Sequence, residues 1–196
     1  MKILTDFVPD FYQDQIAEYV LGPEIPWSYN SNTLYGDRKS NEKFKALWTD
    51  DVTFATSTTK ETWQLVHMIT ETCPIYSHAK TLLTLAGVDA QRLSRIKCNI
   101  MFKDTEFPEQ FYNTPHADGN AGMQSLLYYV DDSDGDTVFF NEHYTPGVKQ
   151  TGLTEYARCT PRKGTAVLFD SDRFHCSTPP RINARRAVIN FAWDTK

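Results

Sequence analysis

The sequence predicts an α+β domain: an antiparallel β-sandwich or barrel with helices packed on one sheet. Three observations predict it. Aromatic residues make up 13% of the 196-residue chain, mostly Phe and Tyr, and favour strand-rich structure. Helical periodicity is confined to the first half. From Arg95 onward, apolar runs of strand length alternate with turns rich in Asp, Gly and Pro.

Pro9 to Leu21 is predicted helical, with Phe11, Ile16, Val20 and Leu21 on one stripe and Gly22-Pro23 as the stop. Ile25 to Tyr29 follows as a strand, then Asn30 to Lys45 as a polar surface loop. Thr62 to Cys73 is predicted to be the clearest helix, because Trp63, Val66, Ile69 and Cys73 recur at helical spacing and Pro74 ends it. A short helix through Leu82, Leu83, Leu85 and Ala86 stops near Gly87. Ile96 to Phe102 alternates as a strand, and Asp104 to Asn113 is a loop rich in Phe and Glu. Gln124 to Val130 is a strong strand. Asp131 to Asp136 turns the chain into Thr137 to Phe140, and two strands around Asp-Gly predict a hairpin. That acidic turn is not an EF-hand loop, since positions one and twelve would be Val130 and Asn141. Asn141 to Thr160 is predicted as an irregular connection long enough to serve as a lid. Pro161 to Gly164 turns into the buried-type strand Thr165 to Phe169, and Arg186 to Trp193 is the last strand.

This length fits one domain over residues 1–196. The net charge of -5 weighs against a broad grip on nucleic-acid phosphates. Cys73, Cys98, Cys159 and Cys176 show no C-x-x-C spacing, which predicts reduced thiols in a cytoplasmic protein. The N-terminus lacks a signal-peptide apolar run, and no window approaches the length of a membrane span.

The chemistry centres on Thr114-Pro115-His116-Ala117-Asp118-Gly119. On an extended segment, side chains at i and i+2 share a face, so His116 and Asp118 can hold one metal ion. A third ligand must come from elsewhere, and His175 is the obvious source. Two His and one carboxylate make the facial triad of non-haem Fe(II) oxygenases, with positions left open for substrate and dioxygen. A lone H-x-D is a weak signal; its weight comes from its surroundings. His67 and His78 have no partner motif and are expected at the surface or a boundary.

Those surroundings run in order: His116-Ala117-Asp118, Leu127-Tyr128-Tyr129-Val130, Gly135 to Phe140, Pro161-Arg162-Lys163-Gly164, His175 and Arg186 to Phe191. Together, from about Arg95 to Trp193, they resemble the Fe(II)- and 2-oxoglutarate-dependent dioxygenases, closest to the prolyl 4-hydroxylase-like branch. The resemblance implies a double-stranded β-helix (jelly roll) over residues 95–196, buttressed by a mainly helical N-terminal part, residues 1–94, with first strands. It implies Fe(II) held by His116, Asp118 and His175, 2-oxoglutarate as cosubstrate with Tyr129 and a basic residue on its distal carboxylate, and ascorbate as an auxiliary reductant. Its partners would be 2-oxoglutarate, dioxygen and a substrate, with no membrane and no nucleic acid. The implied reaction is hydroxylation of a prolyl peptide or a small proline-like or amino-acid substrate, releasing succinate and CO2. Oxidative nucleic-acid demethylation on the same fold, and a non-catalytic metal-binding jelly roll, are the alternatives.

Strand parity selects the basic residue. Arg185, Ala187, Ile189, Phe191 and Trp193 share one face, rich in large apolar groups suited to packing under helices. Arg186, Val188, Asn190 and Ala192 share the other, where Asn190 suits a site lining. Arg186 is therefore expected to point inward and Arg185 toward solvent.

Overall fold

The computed structural model describes residues 1–34, 55–89 and 92–195. In chain order the elements are β1 (Lys2–Leu4), α1 (Asp10–Leu21), β2 (Ser28–Asn30), β3 (Gln64–Met68), α2 (Tyr76–Leu85), β4 (Leu93–Phe102), β5 (Met123–Tyr129), β6 (Thr137–His143), β7 (Glu155–Cys159), β8 (Ala166–Asp170), β9 (Arg173–Ser177) and β10 (Arg185–Asp194). A seven-stranded sheet runs β1-β8-β5-β10-β4-β3-β2, and a three-stranded sheet runs β7-β6-β9. His116 adds an antiparallel bridge to β9 through His175. The chain passes from β4 to the His116 segment, back to β5, across to β6 and β7, back to β8, across to β9 and home to β10. This alternation between two antiparallel sheets is the double-stranded β-helix.

The large sheet has two buried faces. Ile96, Cys98 and Ile100 of β4, with Ala187, Ile189, Phe191 and Trp193 of β10, pack against Ile16 and Val20 of α1 and Leu82 and Leu83 of α2. The opposite face turns toward the small sheet, where Leu127, Tyr129, Val167 and Val188 meet Phe139 and Cys159. Period-two alternation thus gives each strand a helix-side set and an interior set. The parity expected for β10 holds: Arg186 is 4% exposed, and Arg185 pairs with Asp131 at 2.9 Å near solvent.

Three local expectations need correction. Thr62 to Cys73 contains no helix; Gln64–Met68 is β3, with Leu65 to Met68 paired to Ile100 to Lys97 of β4. The helical spacing of its apolar residues is overridden by the ladder that the edge of β4 offers. β5 and β6 form no hairpin, because both edges of β5 are already taken by β8 and β10. The Asp131–Asp136 segment instead carries the chain to the other sheet. There Asp134 accepts backbone N–H bonds from Arg181, Ile182 and Asn183 at 2.8–2.9 Å, tying this crossing to the approach to β10. The long Asn141–Thr160 connection is not structureless, since β6 runs to His143 and Glu155–Cys159 is β7. The predicted loop at Asn30–Lys45 lies outside the described residues beyond Leu34.

Phe191 is fully buried between the sheet and the helices. Phe191→Ala should lower unfolding free energy by about 3–5 kcal/mol, measured by urea denaturation of the metal-free protein. A loss below about 1 kcal/mol would mean that the helices do not pack on β10 as described.

A candidate metal centre

His116 and His175 are brought together by backbone pairing. The His116 N–H donates to the His175 carbonyl and the His175 N–H to the His116 carbonyl, each at 2.9 Å. Residues opposed in this way carry their side chains on the same face, and the two imidazole centroids lie 4.6 Å apart. Asp118, two residues on, shares that face; its N–H donates to the Ser171 carbonyl at 2.7 Å. Ala117, between them, points into the apolar cluster on the far side of the small sheet.

Ligand atoms of His116, Asp118 and His175 all lie within 4.8 Å of one another. His175 Nε2 is 3.6 Å from Asp118 Oδ2. Each imidazole is oriented through its other nitrogen: Nδ1 of His116 faces the Thr114 carbonyl at 3.3 Å, and Nδ1 of His175 faces the Arg173 carbonyl at 3.0 Å. A proton held on Nδ1 leaves the Nε2 lone pair for a metal.

The carboxylate is fixed just as firmly. Arg95 of β4 donates to Asp118 Oδ1 at 2.7 Å, while Ser125 of β5 and Asn190 of β10 each donate to Oδ2 at 3.2 Å. Oδ2, the oxygen facing His175, is the one placed for a metal. The donor set of two imidazoles and one carboxylate fits Fe(II) and leaves coordination positions for cosubstrate.

The ligands are already in the protonation state that a divalent ion requires. Burial, reinforced by the neighbouring His175, lowers His116 to about 3, against the pull of Asp118. Burial lowers His175 too, again opposed by Asp118. Burial alone would raise Asp118, but Arg95, His175, Lys97 and His116 outweigh it and hold the carboxyl well below the usual range.

A second polar group sits further along the same interior. Arg186 Nε donates to the Gly135 carbonyl at 2.8 Å, and an Arg186 terminal nitrogen donates to Thr137 Oγ1 at 2.7 Å. The Tyr129 hydroxyl lies 2.9 Å from the same Thr137 oxygen, and the guanidinium lies 5.9 Å from the Tyr129 ring centroid. Gly135 makes room for this arrangement: a Cβ there would come within 3.0 Å of Arg186 Cδ and 2.6 Å of the Thr178 carbonyl. Burial lowers the Arg186 pKa, opposed mainly by Tyr129 and Asp136. Arg186 and Asn190 share one face of β10 and are about 13 Å apart along it, with Asn190 reaching Asp118.

The structure thus gathers all five residues singled out in the sequence, His116, Asp118, His175, Tyr129 and Arg186, around one interior. It adds Arg95, Ser125 and Asn190 as partners of Asp118. His143 stays outside the cluster, paired with Asp172 at 2.7 Å. The Phe-rich loop lines a different feature. Phe107, Glu109 and Phe111 wall a cleft of about 530 Å³ with Asp134, Arg158 and Arg181, and none of the three ligand residues lies on it.

Residues 102–193 match the family model described as the 2OG-Fe(II) oxygenase superfamily. A Pseudomonas putida prolyl-4-hydroxylase superposes with a TM-score of 0.53 at 13% identity, covering 100% of this chain and 92% of that one. HygX from Streptomyces hygroscopicus, solved with nickel and 2-oxoglutarate bound, gives 0.59 at 9% identity over 98% of this chain and 81% of that one. A Trichoplax adhaerens prolyl hydroxylase, solved with a hypoxia inducible factor oxygen degradation domain peptide fragment, gives 0.53 at 13% identity over 98% and 83%. No curated protein matches this sequence.

Metal uptake near pH 7 should release almost no protons, because both imidazoles are neutral and the carboxyl is ionised beforehand. With His116 lowered to about 3 and His175 lowered as well, affinity should fall less between pH 8 and 6 than it would for imidazoles of ordinary pKa. Calorimetry in two buffers of different ionisation enthalpy measures the release, and about one proton per metal ion would contradict it.

Proposed function

We propose, from the match of residues 102–193 to the 2OG-Fe(II) oxygenase superfamily model, that this enzyme hydroxylates a prolyl peptide or a small proline-like or amino-acid substrate. Fe(II) and 2-oxoglutarate are its cofactors. When bound, they supply oxidation of an unactivated C–H bond, with dioxygen consumed and succinate and CO2 released. Residues 1–196 act as one oxygenase domain, residues 1–94 supporting a catalytic core at 95–196.

The observation that carries the proposal is the sharing of one interior by a three-ligand cluster and a buried guanidinium. His116, Asp118 and His175 hold the metal. Arg95, Ser125 and Asn190 keep the Asp118 carboxylate turned so that Oδ2 faces the site. Arg186 binds the distal carboxylate of 2-oxoglutarate, for which a planar guanidinium is the natural partner. Thr137 and Tyr129 flank that contact. Two solved prolyl hydroxylases share the fold, one of them holding a peptide, and this supports a proline-related substrate. None of the described helices is long and apolar enough to cross a membrane. Four free thiols, with none of the four cysteines paired, support a cytoplasmic location.

His116→Ala and His175→Ala should each abolish stoichiometric iron binding, read by metal analysis after dialysis; full occupancy in both variants would overturn the ligand assignment. Arg186→Ala should weaken 2-oxoglutarate binding by about 2–5 kcal/mol, the cost of a buried carboxylate left unpaired. Arg185→Ala, on the outer face, should change little. The opposite ranking in a succinate-release titration would transfer the anchor to Arg185.

A further inference from the structure

Away from the candidate metal centre, the fold brings a nucleophile and an imidazole together. His67 lies on β3, and Cys73 lies in the turn between β3 and α2. Cys73 Sγ is 3.5 Å from His67 Nε2, close enough for a hydrogen bond between thiol and ring nitrogen.

Backbone contacts fix the thiol. The Cys73 N–H donates to the Thr70 carbonyl at 2.9 Å, and the Cys73 carbonyl accepts from the Tyr76 N–H at the start of α2, also at 2.9 Å. The turn returns Sγ to the end of β3, 3.8 Å from the Met68 carbonyl.

The imidazole has a defined tautomer. His67 Nδ1 lies 3.2 Å from the Pro26 carbonyl, which can only accept. The ring proton therefore sits on Nδ1, and Nε2 presents its lone pair to the thiol. Trp27 packs edge-on against the ring, with centroids 6.4 Å apart. A nucleophile, a base within reach of its proton and a third group orienting that base are the parts of an activated thiol.

The sulfur also has polar groups gathered on it. The Thr70 N–H donates to Sγ at 3.4 Å, and the Thr70 hydroxyl lies 3.5 Å from it, itself 3.0 Å from Thr72 Oγ1. Donors fixed around a sulfur stabilise the charge that develops on it as its proton leaves. Cys98, Cys159 and Cys176 are buried, whereas Cys73 is half-buried, so a reagent from solvent meets Cys73 first.

We propose that Cys73 and His67 form a thiol–disulfide exchange site for low-molecular-weight disulfides. The site does not rest on the oxygenase reading and needs no metal. The Cys73 proton passes to His67 Nε2 as Sγ attacks one sulfur of the disulfide. The S–S bond of the reagent breaks while a new S–S bond forms to Cys73. The Cys73 sulfur is oxidised and the departing sulfur reduced, and the departing thiolate takes the proton from Nε2. The disulfide is the only oxidant, and the product is a mixed disulfide on Cys73. Half-burial restricts the reagent to a small one.

The test treats the full-length protein with glutathione disulfide and follows adducts by mass spectrometry of the intact chain and its peptides. One adduct should form, on Cys73, at least tenfold faster in the native protein than at Cys73 of the urea-unfolded chain. A merely accessible thiol would show the reverse order, because half-burial slows it. His67→Phe keeps a flat ring on β3 but removes the base. It should slow the native reaction at least tenfold and leave the rate in urea unchanged. A native rate no greater than the unfolded rate, or an adduct on another cysteine in place of Cys73, would overturn the site. An unaltered native rate in folded His67→Phe would do the same. The native–unfolded comparison needs no variant, so it decides the matter even if His67→Phe does not fold.

Discussion

One buried carboxylate ties strands β4, β5 and β10 together. The Asp118 side chain is fully buried and accepts from Arg95 on β4, Ser125 on β5 and Asn190 on β10. An ion taken out of water must be paired and hydrogen-bonded, and removing one partner of a buried pair is strongly destabilising. The three strands must therefore assemble in the observed register around the segment that carries Asp118. The same contacts divide the carboxylate's labour. Arg95 holds Oδ1, and Oδ2 is left beside His175.

The rest of the site follows from strand alternation imposed on both sheets. The central strands of the large sheet, β4, β5, β8 and β10, turn one set of side chains to the helices and the other to the interior. On β10 the interior set is Arg186, Val188, Asn190 and Ala192, so a single strand carries both the buried guanidinium and an amide that orients the Asp118 carboxylate. A slip of one residue would bury Ile189 and Phe191 in the polar interior and press Arg186 against the helices. The large hydrophobic cluster on the helix side therefore sets the polar geometry on the other face.

The His116–Asp118 pair and the inward arginine were legible in the sequence because both obey local periodicity. His116 and Asp118 are two apart on an extended segment, and the Arg185–Arg186 choice reduces to which face of β10 is apolar. Arg95 was not legible. It reaches Asp118 across 23 residues, through a register that no local pattern reveals. The His67–Cys73 pair was hidden too, since β3 was masked by helical spacing at Trp63, Val66, Ile69 and Cys73. The missing hairpin has a similar cause. The Asp-Gly turn is real, but which strand lies beside β5 is decided by competition for its edges, and β8 and β10 hold both.

We propose that one interior holds the metal on the small-sheet side and 2-oxoglutarate on Arg186. The most direct measurement is anomalous diffraction at the iron edge from crystals grown anaerobically with Fe(II) and 2-oxoglutarate. The predicted result is a single iron peak bonded to Nε2 of His116, Oδ2 of Asp118 and Nε2 of His175, with the distal carboxylate of 2-oxoglutarate on the Arg186 guanidinium. An iron peak outside this triad, or 2-oxoglutarate bound with its distal carboxylate away from Arg186, would contradict it.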